Sequence, residues 1–107
     1  MIFHVVPGPQ WTAAGSGPYA PASLASEGFV HCSADLASAL AVANAHYAHA
    51  PAPLLLLSVD EAGLAAEVRW EGKGQAFPHV HGPIEREAVV AVAELRREAG
   101  GTGWVGP

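Results

Sequence analysis

Apolar positions in this 107-residue chain fall into short runs punctuated by proline and glycine. Ile2-Phe3-His4-Val5-Val6 alternates as a strand does, with Phe3 and Val5 on one face and Ile2, His4 and Val6 on the other. His4 therefore has apolar neighbours on its own face. Pro7-Gly8-Pro9 ends the strand, and Pro9 suits the first turn of a short helix over Gln10–Ala14 closed by Gly15. Pro21–Glu27 predicts one or two helical turns stopped by Gly28 in the left-handed conformation. Phe29–Cys32 reads as a short strand running into Ser33, a good N-cap for the longest helix. Leu36, Ala39, Leu40, Ala43 and Tyr47 recur at helical spacing, and the helix is expected to run to about Ala48, before Pro51 and Pro53.

Leu54–Val59 has the length and composition of a buried strand, followed by a turn over Asp60–Leu64. Over Ala65–Glu71, the positions Ala66, Val68 and Trp70 alternate with Glu67, Arg69 and Glu71, which predicts a strand with one wet face. Gly72–Gln75 is a loop. Phe77–Pro83 is extended, and Pro78 restricts it to an edge or an irregular stretch. Glu85–Ala88 suits a turn of helix. Ala88–Leu95 is valine-rich and reads as a strand, with an alanine-rich helix as the alternative. The expectation is one α+β domain over residues 1–99, with a mixed or antiparallel split sheet and one main helix. A flexible tail over 100–107 follows, tacked down by Trp104.

Charge narrows the partners. The formal net charge is −5 with only five Lys and Arg, which disfavours duplex nucleic acid but not a small ligand held by a few local donors. Cys32 is the single cysteine, so an intramolecular disulfide is impossible and a cytoplasmic protein is the simpler expectation. No apolar run reaches membrane-spanning length, and the N-terminus lacks the pattern of a signal peptide. Oligomeric state is not legible.

Six histidines carry most of the candidate chemistry. His79 and His81 leave the same face of an extended segment. With His4 or His31 they would form a three-ligand metal site with an open position, the basis of a metallohydrolase reading. Strand histidines bonded to backbone carbonyls are the simpler account of the same residues. Cys32 at a helix start suggests a thiol nucleophile, but adjacent strand residues point oppositely, so His31 is badly placed to activate it. A small buried apolar residue explains Cys32 better. His31 and Ser33 share a face, where an imidazole, a hydroxyl and helix-terminal N–H groups can hold ribose or phosphate. Capping alone explains Ser33 equally well. Trp11, Tyr19 and Trp70 are candidates to wall a planar ring, and Glu27 and Glu71 are potential acid or base groups.

The motifs Phe3-His4, Trp11-x-x-Ala14, Gly28-Phe29-Val30-His31-Cys32-Ser33, Asn44-x-x-Tyr47, Val59-Asp60, Trp70-Glu71 and Phe77-Pro78-His79-x-x-Gly82-Pro83 span nearly the whole chain. In combination they resemble the uncharacterised bacterial family numbered 952 among domains of unknown function. His81 stands where that pattern has tyrosine, a change that keeps a polar tip on a flat ring. The family in turn resembles the ADP-ribosyltransferase fold, particularly its RNA 2′-phosphotransferase branch. The resemblance implies an NAD-type cleft. In it His4 would hold the ribose or nicotinamide end, and His31 and Ser33 would contact ribose or phosphate. His79 or His81 would take the third-strand position where such transferases place a catalytic glutamate. It further implies His4, His31 and His79 as catalytic residues, Ser33, Trp11, Tyr19, Trp70 and His81 as ligand-binding residues, and NAD as cofactor. The alternatives are a noncatalytic ligand-binding or structural domain on the same fold, and the metallohydrolase.

Overall fold

The computed structural model describes residues 1–101 and 103–107. Strand β1 (Ile2–Pro7) leads into helix α1 (Gly8–Ala13), helix α2 (Ala22–Glu27), strand β2 (Val30–His31) and helix α3 (Leu36–His46). Strands β3 (Leu54–Val59), β4 (Val68–Glu71), β5 (Phe77–Val80), β6 (Val89–Glu94), β7 (Arg96–Arg97) and β8 (Trp104–Val105) follow, with single 3-10 turns between several of them.

The strands form two antiparallel three-stranded sheets, β1-β3-β6 and β2-β5-β4, and a small β7-β8 ribbon. The split sheet expected from the sequence is thus antiparallel throughout. Phe3 and Ser33 join the two sheets at one point by exchanging backbone hydrogen bonds of 2.9 and 2.7 Å. Leu54, Leu55, Leu56 and Leu57 are all buried because β3, the central strand of the first sheet, is covered on both faces. Leu54 and Leu56 join Val5, Ala39 and Ala43 beneath α3, whereas Leu55 and Leu57 join Ile2, Val6, Val30 and Val80 beneath the second sheet.

Three expectations are corrected. Ser33 is not the N-cap of α3: its backbone pairs with Phe3, and Asp35 caps the helix, its side chain accepting from the Ser38 N–H at 2.7 Å. The helix ends at His46, two residues short of Ala48. Pro78 does not confine its strand to an edge, since β5 is the central strand of its sheet. Its carbonyl accepts from the Cys32 N–H at 3.0 Å, and because proline has no N–H to return, β2 stops at His31. The valine-rich segment is a strand as expected, β6 over Val89–Glu94, with Leu55 to Leu57 opposite Glu94 to Val92.

The expected mobile tail includes Thr102, which lies outside the described residues. Of its remainder, Trp104 is buried beside α3. Its indole N–H donates to the Tyr47 carbonyl at 2.8 Å, and its backbone N–H donates to Asn44 Oδ1 at 2.7 Å. Those bonds fix the segment to α3, a role Trp104 takes more fully than a loose tack.

Candidate functional site

Gly28 closes α2 at φ 87°, a conformation that favours glycine, and turns the chain so that Phe29 and His31 lead into β2. In the second sheet His31 lies directly across from His79, and His79 across from Arg69. Strand alternation then gathers Arg69 and Glu71 of β4 with Glu67 just before it, Phe77 and His79 of β5 with His81 beyond its end, and His31 of β2 on one face.

The His31 and His79 rings meet edge to face with centroids 5.3 Å apart, and Phe29 stacks on His79 at 4.2 Å. Each imidazole has a carboxylate partner. His31 Nε2 lies 3.0 Å from Glu27 Oε2, and His79 Nδ1 lies 2.8 Å from Glu71 Oε1, which His81 Nε2 also approaches at 3.3 Å. A carboxylate accepts, so the proton sits on His31 Nε2 and His79 Nδ1, and the second ring nitrogen of each is the basic one. The hydrogen bond from His79 holds the Glu71 carboxyl below its ordinary range.

His4 differs. It is buried, its Nδ1–H donates to the His31 carbonyl at 2.6 Å, and its Nε2 accepts from the Tyr19 hydroxyl at 3.4 Å. Burial lowers its pKa to about 4, so the imidazole is neutral. Burial likewise pushes the Cys32 thiol up to about 12, which keeps it protonated and inert at neutral pH. Small and buried, Cys32 packs among Val30, Val80 and Ile84.

His4, His31, Ser33 and His79 line one hollow of about 100 Å³, walled also by Tyr47 and Phe77. Beside it lies a more open basin of about 430 Å³, lined by Glu27, His31, Val42, His46 and Tyr47. The two share His31, Val42 and Tyr47, so they adjoin along α3. Three imidazoles distant in sequence thus reach one concavity, in which His31 and His79 carry a free basic nitrogen and His4 does not.

Other candidates lie elsewhere. His81 meets Glu71 but does not line the hollow. Trp11 packs under the Arg86 guanidinium at 3.7 Å and against Tyr19, which is buried in the larger core. Trp70 is cross-strand from Pro78, on the opposite face of β4 from Glu71. The aromatic wall is instead Tyr47 and Phe77, with Phe29 behind His79. Among the described residues no three His, Cys, Asp or Glu side chains are grouped to hold a metal ion. His4, one of the two candidate third ligands of the metal reading, is already bonded through both nitrogens. Nor is any described helix long and apolar enough to cross a membrane.

These features define a small α+β domain of antiparallel sheets and few helices, with an imidazole-lined hollow beside its longest helix. The chain belongs to the DUF952 family, described as proteins of unknown function, whose match covers residues 5–92. It is similar to the crystal structure of protein CC0527 from Caulobacter crescentus, with 30% identity, a TM-score of 0.76, and coverage of 92% of this chain and 88% of that one. The solution NMR structure of CC0527 is similar at 28% identity and a TM-score of 0.72, covering 96% of this chain and 89% of that one. No curated protein matches the chain.

Proposed function

We propose that the hollow and its basin bind a nucleotide-like ligand such as NAD, on a fold related to the ADP-ribosyltransferases, and that the domain transfers ADP-ribose from it. The observation that carries this reading is the meeting of His4, His31, Ser33 and His79 on one concave surface although they come from three separate strands or strand ends. The inner hollow takes a ring or ribose end between Tyr47 and Phe77, and the wider basin takes the remainder. In the transfer, the ribose C1′–N bond breaks and its electron pair returns to the pyridinium nitrogen, which leaves neutral. An acceptor oxygen or nitrogen bonds C1′, and its proton passes to the free nitrogen of His79. Glu71 and Glu27 stabilise the positive charge that develops on the sugar. Glu71 lies behind His79 on the neighbouring strand.

Titration calorimetry with NAD tests the binding. Heat from the unaltered protein that is lost in His31→Ala is the expected result, and no heat up to millimolar NAD rejects the reading. A second reading, a noncatalytic binding domain, is favoured by His4, whose ring is fully engaged by its own chain. NAD binding without release of nicotinamide, measured by chromatography over hours, would select it.

A further inference from the structure

The site is unusual for a nucleotide pocket in its charge. Among the described residues no lysine or arginine lines either the hollow or the basin. Arg69, the register partner of His79, is paired with Glu67 at 3.0 Å. Arg86 lies over Trp11, and Arg97 lies over Trp104 while donating to the carbonyls of Ala48 and Ala50. The N-terminus of α3, where a phosphate would ordinarily find backbone donors, is occupied by the Asp35 carboxylate on the Ser38 N–H. Against this, two carboxylates flank the imidazole pair, Glu27 at His31 and Glu71 at His79. A pyrophosphate entering here finds no built clamp, whereas a cationic ring finds Glu27 on the basin wall, Glu71 behind His79, and the rings of Tyr47 and Phe77.

We propose that the site recognises the N-ribosyl pyridinium cation itself and makes no use of the phosphates, so its ligand class extends to phosphate-free pyridinium ribosides. The proposal rests on the NAD-type reading of the hollow and narrows it to one end of that molecule. The adenylate half lies outside the hollow and contributes little.

Calorimetry with nicotinamide riboside, NAD and ADP-ribose, run in parallel at low and at near-physiological salt, tests it. The riboside is expected to bind at least as tightly as NAD, and ADP-ribose at least about tenfold more weakly, having phosphates but no cationic ring. Glu71→Gln and Glu27→Gln, each with an unchanged thermal melt, are each expected to weaken riboside binding about threefold to fivefold. Added salt is expected to weaken riboside binding through screening. NAD binding tenfold tighter than the riboside, or ADP-ribose equal to NAD, overturns the proposal and leaves the NAD reading standing. Binding of none of the three overturns both.

Discussion

The two three-stranded sheets share strand direction and size but not environment. The first, β1-β3-β6, has α3 on one face and the second sheet on the other, and its central strand is almost entirely leucine. The second, β2-β5-β4, buries Val30, Val80 and Pro78 on one face and shows histidines and glutamates on the other. A histidine stands in each. His4 in the first sheet is sealed, neutral and bonded through both nitrogens to its own chain, whereas His79 in the second meets a half-exposed carboxylate and keeps one nitrogen free. Residue type alone does not set a histidine's role: burial and partner do. The first sheet is framework, and the proposed chemistry falls to the second.

The contrast breaks first in the core. Leu57→Ala removes a fully buried side chain from the central strand of the first sheet, and a loss of about 2–5 kcal/mol is expected in urea unfolding. Trp104→Ala is expected to cost about 3–5 kcal/mol in the same measurement, because the indole is buried and bonded to Tyr47. A near-neutral result would return residues 103–107 to the status of a tail.

The next effect is on pH. The folded His4 value of about 4 lies below its unfolded value of 6.5, so the unfolded chain takes up the proton first as pH falls. The His4 contribution is complete above pH 6.5 and is lost between pH 6.5 and 4, by roughly 3 kcal/mol at most. Unfolding curves across that window are expected to show the slope in the unaltered protein and to lose it in His4→Gln.

Smaller effects sharpen the comparison. Asp35→Ala is expected to lower Tm by about 4 °C through loss of the cap, and Ser33→Ala by clearly less, because only the backbone of Ser33 joins the sheets. Glu71→Gln is expected to leave Tm within about 2 °C while altering ligand binding, as befits a solvent-facing partner.

Much of the framework was legible because it is written in local rules. The leucine run of β3, the Gly28 stop and the alternation of Glu67, Arg69 and Glu71 against Val68 and Trp70 each announce an element or a face. The site was half legible. His4, His31, Ser33 and His79 were candidates from the chain, and they do line one hollow. Glu27 and Glu71 were named as potential acid or base groups, but their pairing with the imidazoles was not legible, because pairing Glu71 with His79 depends on the β4-β5 register, and a slip of one residue would have faced Glu71 to the opposite side. Tyr47 falls on the helical stripe and does pack against the core under α3, but α3 ends beside it and its ring also lines both concavities. The Ser33 misreading has a similar cause. Ser33 and Asp35 are both good caps by composition, and only the long-range bond to Phe3 decides between them.

His31 and His79 form the proposed ligand site, whereas His4 is held by its own chain through both nitrogens. Long-range 1H–15N spectra of the histidine rings, recorded as NAD is added, address that division directly. The account predicts that the His31 and His79 ring resonances move together and saturate, with His4 Nδ1 remaining protonated and Nε2 bare throughout. Saturating shifts confined to His46 and His49, or no histidine shift up to millimolar NAD, would contradict it.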